Sequence, residues 1–355
     1  MPRSGTAILP LHHGKAPAWL FRRMAALSRE ILTLTVAEFG ADAFLRMLSD
    51  PWWFQALGSV LGFDWHSSGL TTTVTGALKE GIRGLEGELG VHFAGGKGAA
   101  SRKTPEHILL AAEKTGTDPA GLVHASRMAA KVDNAALQDG YQLYHHVFVF
   151  TTRGSWAVIQ QGMNPLDRTA RRYHWLSEGL EDFVVEPHRA VCSEQRGGAV
   201  LNMTARESRA AREAAALLGR EEPERLIREL TMPARHNLDL SDLRPERLRS
   251  TFLRTYENQP QTFQSLLGLQ GVGPKTVRAL ALLSELLFGA PASVRDPARF
   301  SFAHGGKDGT PYPVDRETYD GTIGVMKKAI RSARVGNRDK VEAFKRLHTY
   351  FGEAA

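Results

Sequence analysis

Acidic, imidazole and amide side chains are concentrated in the first half of the sequence, where they could act as general acids and bases or as metal ligands. Ten of the thirteen histidines precede residue 190. Carboxylate oxygens and imidazole nitrogens bind divalent cations and transfer protons. The candidates for this chemistry are Asp64, His66, Asp133, Asp139, His145, His146, Gln160, His174 and His188. Among them, Asp133, Asp139, His146 and Gln160 are the catalytic candidates, and the first three are the candidate metal ligands.

The order of these residues is loosely similar to that in metal-dependent nucleases, in which acidic residues flank a pair of strands. Asp133 and Asp139 precede a predicted strand pair, and Gln160 lies near the end of its second strand. Such nucleases usually carry a lysine two residues beyond a strand carboxylate or amide. That lysine is missing here, because glycine and methionine occupy positions 162 and 163. A nuclease centre would use Mg²⁺ or Mn²⁺. The alternative is that these side chains are structural and are satisfied by hydrogen bonds and helix caps.

Two apolar segments, 141–150 and 156–163, predict a β-hairpin. Pairing Phe150 with Trp156 sets a register in which both faces are apolar near the turn. At the far end, histidines lie opposite glutamines on both faces. Because unpaired imidazoles and amides are costly to bury, we expect that end to open on a wet cleft.

The sequence GLQGVGPKT, residues 268–276, lies between two segments with apolar residues at helical spacing. Its glycines permit positive φ angles and close approach, and its proline suits the first turn of a helix. Backbone N–H groups at such a helix start form an anion site, which here would bind a DNA phosphate. The predicted DNA contacts of the turn are Gly271, Val272, Gly273, Lys275 and Thr276. The alternative is a turn that merely joins two helices.

This motif resembles the helix-hairpin-helix (HhH-GPD) DNA glycosylase superfamily, because a glycine- and proline-rich stretch, Asp315 and another helix-like segment follow it. The resemblance implies that Lys275 attacks C1′ of the sugar as a lyase nucleophile and that Asp315 assists base loss, without a cofactor. A helix start and desolvation favour the neutral amine that such an attack requires. However, the two residues are 40 positions apart, wider than in common members of that superfamily. The alternatives are a phosphate-contacting Lys275 and an Asp315 that caps a helix.

Two further basic segments are candidates for DNA contact. Lys97, Arg102 and Lys103 lie in a glycine-rich stretch whose spacing does not match a nucleotide-binding P-loop. Arg171 and Arg172 adjoin two aromatic residues, a mixture that neutralises phosphates and stacks bases. The alternatives are a solvated surface loop for the first segment and a domain interface for the second.

Composition and length bound the fold. The chain has 355 residues, 42% of them hydrophobic, and a formal net charge of +7, which favours polyanionic partners such as DNA. We predict an α+β protein with a mixed α/β N-terminal domain over 1–195, which contains the β-hairpin, and an all-α helix-hairpin-helix domain over 201–355. The lone Cys192 cannot form an internal disulfide and fits a reducing compartment.

Cellular location and family complete these expectations. No apolar run reaches the roughly 20 residues of a membrane helix, and the start does not read as a secretory signal, so we expect a cytoplasmic, nucleoid-associated protein without membrane contact. The sequence does not indicate an oligomeric state. Segments such as LPLHHGKAPAWL (9–20) and KVDNAALQDGYQLYHH (131–146), with the glycine turn, make the whole chain similar to domain-of-unknown-function family 763. In order, the hypotheses are a DNA glycosylase/AP lyase for DNA repair, a metal-dependent DNA nuclease with its site in the N-terminal domain, and a non-catalytic DNA-binding protein.

Overall fold

The computed structural model describes residues 17–62, 69–166, 169–193, 200–230 and 245–298, together with eight positions between 327 and 345. Asp64, His66 and Asp315 lie outside these residues. The described chain is a mixed α+β protein with an antiparallel five-stranded sheet. No helix in this part of the chain is long and apolar enough to cross a membrane.

Several helix starts follow from local sequence signals. Asp50 and Asp118 each precede a proline at the first helical position and accept backbone N–H groups of their own helix. The described helices are α1 (Ala18–Phe39), α2 (Ala41–Ser49), α3 (Pro51–Leu61), α4 (Gly69–Gly81), α5 (Glu86–Leu89), α6 (Ala99–Arg102), α7 (Thr104–Thr115), α8 (Pro119–Lys131), α9 (Arg209–Leu218), α10 (Pro223–Leu230), α11 (Pro245–Asn258), α12 (Phe263–Gly268) and α13 (Pro274–Phe288). A π-helical turn, Val132–Ala136, continues α8.

The strands form one large sheet and one small pair. They are β1 (Val91–Lys97), β2 (Leu137–Gln138), β3 (Gln142–Thr151), β4 (Trp156–Asn164), β5 (Thr169–Leu176), β6 (Ala190–Cys192) and β7 (Leu201–Asn202). The large sheet has the order β1-β3-β4-β5-β6, and β2 pairs with β7. Phe150 pairs with Trp156 and His146 with Gln160, so the predicted register of the β-hairpin is confirmed.

Helices cover both faces of the large sheet, so alternate strand residues enter two apolar clusters. On the face we call the α4 face, Val149 packs with residues of α1 to α4. On the opposite face, which we call the α8 face, Phe148 packs with residues of α7, α8 and the helices from α9 to α13. Both faces are therefore apolar near the hairpin turn, as predicted.

The expectation of a wet cleft at the far end of the hairpin was wrong. His146 and Gln160 are 6% and 0% exposed, and His145 and Gln161 on the other face are 2% exposed each. The physical reason is that α8 and α4 cover this end and carry hydroxyl groups that bond to the imidazoles. Polar side chains can be buried here because they have partners.

The predicted pair of helices with a glycine turn is present as α12 and α13. Gly271 has φ 90°, a conformation that side-chain-bearing residues rarely adopt. The helical segment before the turn is divided into α11 and α12, because Pro260 lacks a backbone N–H and the Thr262 side chain caps the start of α12.

Residues from both predicted domains share the apolar cluster on the α8 face. The short strand β7, which lies in the second predicted domain, pairs with β2 of the first. The second part is therefore not purely helical among its described residues. The division at 195–201 stays a prediction.

Candidate nucleic-acid interface and buried polar clusters

The turn between α12 and α13 leaves backbone N–H groups without acceptors. Among the described residues, none accepts a hydrogen bond from the N–H groups of Gly271, Gly273 or Lys275. Gly273 is the N-cap of α13 and supplies no capping side chain. The Lys275 side chain is exposed, so the described residues do not provide the desolvation that a nucleophilic lysine needs. Unbonded amides at a helix start beside an exposed cation have the geometry of an anion site.

Two of the five predicted DNA contacts in this turn face inward. The N–H of Val272 donates to the carbonyl oxygen of Leu269 at 3.3 Å, and the Val272 side chain is buried in the α8-face cluster. The Thr276 side chain is also buried. The prediction that Val272 contacts DNA is therefore corrected: Val272 anchors the turn in the α8-face cluster.

Side chains from three other elements bond to backbone carbonyls of the same turn. They are Lys131 at the end of α8, Gln138 in β2 and Arg254 in α11. The segment from Lys131 to Asp139 also carries the carboxylate candidates of the N-terminal half. The two regions singled out in the sequence are therefore in contact.

Asp133 is fully buried and serves as a hydrogen-bond acceptor. Its oxygens accept from Gln160 Nε2 at 2.5 Å, from Trp175 Nε1 at 2.9 Å and from His188 Nε2. Three donors around one carboxylate satisfy its charge inside the fold. Asp133 and Gln160, both catalytic candidates from the sequence, are hydrogen-bond partners of each other.

The polar chain continues from Gln160 to His146 and ends at Ser126. His146 Nδ1 donates to Gln160 Oε1 at 2.8 Å, which leaves Nε2 to accept from the Ser126 hydroxyl at 2.9 Å. Burial lowers the pKa of His146, although Gln160 and Asp133 oppose that shift. A neutral imidazole with both nitrogens engaged fits this arrangement.

Asp139 belongs to a second cluster, in which Arg171 is the central cation. Arg171 is 0% exposed and donates to Asp139 at 2.8 Å and to Asp296 at 2.7 and 3.0 Å. The Tyr173 hydroxyl also donates to Asp139 at 2.7 Å. Burial opposes the charge of Arg171, but Asp139, Tyr173 and Asp296 outweigh it and raise its pKa. This cluster ties the segment after α13 to the sheet.

A third polar cluster lies on the α4 face. Arg172 donates to His174 Nε2 at 2.8 Å and to Gln55 Oε1 at 3.1 Å. The His145 Nε2 atom lies 3.0 Å from the Thr75 hydroxyl. Burial, together with the neighbouring Arg172, holds the pKa of His174 well below its usual value. These groups occupy the interior between the sheet and α3 and α4.

The buried histidines predict a stability that falls in mild acid. Burial, His146 and Lys97 lower the pKa of His145 to about 3. Below pH about 6.5, His145 is therefore protonated in the unfolded chain but stays neutral in the folded chain. Each such histidine removes about 1.4 kcal/mol of unfolding free energy per pH unit below that value. For His145 we expect a loss on the order of 1 kcal/mol between pH 7.5 and 5.5, and His174, whose pKa burial also lowers, contributes in the same direction. Urea unfolding across this range measures it.

A His145→Gln variant isolates the histidine contribution, because it keeps a polar group near Thr75 that does not titrate. Its stability should depend less on pH than that of the parent. Asp50 and Asp139, whose pKa values burial raises, contribute with the opposite sign in both proteins and so cancel in the comparison. Equal pH dependence of the two proteins would contradict the expectation.

The basic residues predicted to contact DNA divide into two groups. Lys97, Arg102 and Lys103 are exposed at the end of β1 and around α6, and no carboxylate in the described chain pairs with them. Arg171 and Arg172 are buried, so the structure corrects their assignment: their guanidinium groups hold the interior together and do not reach a DNA backbone in this conformation. The sequence could not separate the two groups, because both have cations beside turn or aromatic residues.

The candidate metal ligands do not converge. Within the described residues, no group of three or more histidine, cysteine, aspartate or glutamate side chains is arranged to hold a metal ion. Asp133 and His146 are linked through Gln160, whereas Asp139 is held by Arg171 in the separate cluster. The oxygen and nitrogen atoms of Asp133, Asp139 and His146 that could bind a metal are instead hydrogen-bonded to other protein groups.

Several residues of this region carried no signal in the sequence. Lys131 is 136 and 141 positions away from two of the carbonyls that it binds. Asp296 is 125 positions from Arg171. Ser126 and Arg254 read as ordinary helix residues. Such partners become visible only when the fold brings distant segments together.

Comparison with known proteins gives one family match. A family model described as "Protein of unknown function (DUF763)" matches residues 5–314. No curated protein and no solved structure matches the chain.

Proposed function

The chain belongs to the DUF763 family, whose description assigns no activity, and we propose from its own geometry that it binds DNA and acts in DNA repair as a glycosylase or AP lyase. On this proposal, α11 to α13 are the helix-hairpin-helix unit that grips the sugar–phosphate backbone. A net charge of +7 favours such a polyanion through counterion release.

The observation that carries the proposal is the open set of N–H groups at Gly271, Gly273 and Lys275. An exposed turn of backbone amides with one free cation suits a phosphate on an extended polymer, which needs no enclosing pocket. Some surface cations of the described chain, such as Arg153 and Arg249, pair with carboxylates, whereas Lys275, like Lys97, does not. The amine is therefore available to a ligand.

The exposed cations near β1 extend the proposed footprint. Lys97 pairs through its backbone with His145 near the start of β3, a few residues after the segment that holds the turn. Its ammonium lies 5.8 Å from the centre of the Tyr144 ring. Lys97, Arg102 and Lys103 offer further phosphate contacts beside the start of β3.

The lyase step predicts a covalent adduct. If the Lys275 amine attacks C1′ of an abasic site, a Schiff base forms with loss of water, and borohydride reduces it to a stable bond. We expect trapping on abasic duplex DNA in EDTA, lost on Lys275→Gln and kept on Lys114→Gln, which removes another exposed lysine. Denaturing gels measure the adduct. A parent protein that binds this DNA but yields no adduct would reduce the proposal to non-catalytic binding or to a glycosylase without lyase activity.

The nuclease alternative has less support. Asp133 and Asp139 are buried and bonded to donors, and His146 has both nitrogens engaged. The alternative predicts cleavage of undamaged DNA only with Mg²⁺ or Mn²⁺, lost on Asp139→Asn. Cleavage of that kind would replace the lyase proposal.

A further inference from the structure

Each N–H group of the proposed phosphate site belongs to a peptide whose carbonyl is held by a distant side chain. The first is the peptide between Gln270 and Gly271. Its carbonyl oxygen accepts from Arg254 Nη1 at 2.8 Å. Arg254 lies on α11, outside the turn.

The second is the peptide between Val272 and Gly273. Its carbonyl accepts from the Lys131 ammonium at 3.1 Å. The same ammonium binds the carbonyls of Leu267 at 2.8 Å and Leu269 at 2.6 Å. Lys131 is partly buried, and among the described residues these three carbonyls, with no carboxylate, are its partners.

The third is the peptide between Pro274 and Lys275. Its carbonyl accepts from Gln138 Nε2 at 2.8 Å. Gln138 is itself oriented, because its Nε2 also donates to Ala135 at 3.0 Å and its Oε1 accepts from Arg278 Nη2 at 3.0 Å. The amide of Gln138 therefore has little freedom to turn away.

Holding a carbonyl fixes the direction of the N–H in the same peptide. In a planar trans peptide the two groups point in opposite directions, and the described chain has no cis bond. Each N–H consequently points away from the side chain that binds its carbonyl. Without such a holder, the peptides beside Gly271 and Gly273 could rotate, because glycine has many accessible conformations.

We propose that Lys131, Gln138 and Arg254 are positioning residues that pre-orient the backbone N–H groups of this turn towards a phosphodiester. The inference rests on the proposed DNA-binding function and adds which residues make the turn competent. These side chains act from behind the turn and contact no phosphate themselves. Pre-orientation raises the affinity for DNA because the turn loses less conformational entropy on binding.

The test compares Lys131→Met and Arg254→Met with Arg249→Met. Arg249 lies on the same helix as Arg254 and pairs with Glu224 at the surface, so its replacement is the matched control. In each folded variant, anisotropy with a short labelled duplex should show a loss of about tenfold in affinity for the first two and no loss for the control. The salt dependence of binding should stay close to that of the parent, because no phosphate contact is removed.

A spectroscopic readout separates positioning from general destabilisation. In the parent, the ¹H–¹⁵N signals of Gly271 and Gly273 should shift saturably as the duplex is added. We expect the Gly273 shift to be lost in Lys131→Met and kept in Lys131→Arg, which retains donors. Should Lys131→Met fail to fold, Arg254→Met, which is not in the core, carries the test through the Gly271 signal.

Two different failures can be told apart in the same assays. A Gly273→Val protein that binds as tightly as the parent would overturn the proposed function. Loss of binding in Gly273→Val, combined with parental affinity and parental glycine shifts in Lys131→Met and Arg254→Met, would overturn only the positioning inference.

Discussion

Replacement of Gly273 by valine is expected to weaken DNA binding by on the order of 10- to 100-fold, which corresponds to about 1.4 to 2.7 kcal/mol. Gly273 has φ −139°, an extended conformation that valine adopts readily. Apart from the adjoining residues, the nearest atom to a Cβ at this position would be the Gly271 carbonyl oxygen, at 4.0 Å. The folded protein therefore accommodates the side chain, whereas a phosphate approaching the N–H group does not. Fluorescence anisotropy at constant salt measures the loss.

Gly268→Val is the matched control for this variant. Gly268 lies in the same motif and is exposed, and a Cβ there would have no described atom within 4 Å outside the adjoining residues and its own helix backbone. It should bind DNA as the parent does.

Lys275→Gln should in addition reduce the slope of log affinity against log salt by about 0.9, because one phosphate contact is removed. If Gly273→Val, Gly268→Val and Lys275→Gln all bind DNA as tightly as the parent at every salt concentration, the turn is not the DNA interface.

Replacement of Arg171 by methionine is expected to lower the free energy of unfolding by about 3 to 5 kcal/mol. The change leaves the carboxylates of Asp139 and Asp296 buried without their shared cation. Burial of an uncompensated charge is among the most destabilising effects of a single substitution. Urea unfolding at pH 7.5 measures the loss.

Two comparisons test the electrostatic cause. Arg153→Met removes an exposed arginine that pairs with Asp42 and should cost about 1 kcal/mol or less. Adding Asp139→Asn and Asp296→Asn to Arg171→Met should recover part of the loss, because no buried charge remains unpaired. A loss in Arg171→Met no larger than in Arg153→Met would contradict the role of the cluster.

The sequence by itself determined the local features of the protein. The register of β3 with β4 follows from alternating side chains that must enter two apolar clusters, and a slip by one residue would reverse every face. The turn before α13 follows from Gly271 and Pro274, whose backbone preferences act within a few positions. The α+β class follows from the same local patterns.

The tertiary structure decided which polar groups are used inside and which remain on the surface. Arg171 and Lys275 are both cationic side chains, but Arg171 is buried between two carboxylates, whereas Lys275 is exposed at a helix start. Hydrogen bonds such as Lys131 to Val272 join residues more than a hundred positions apart. A local pattern specifies dihedral preferences and faces, whereas partners across the chain depend on how helices cover the sheet, and no short-range signal encodes that.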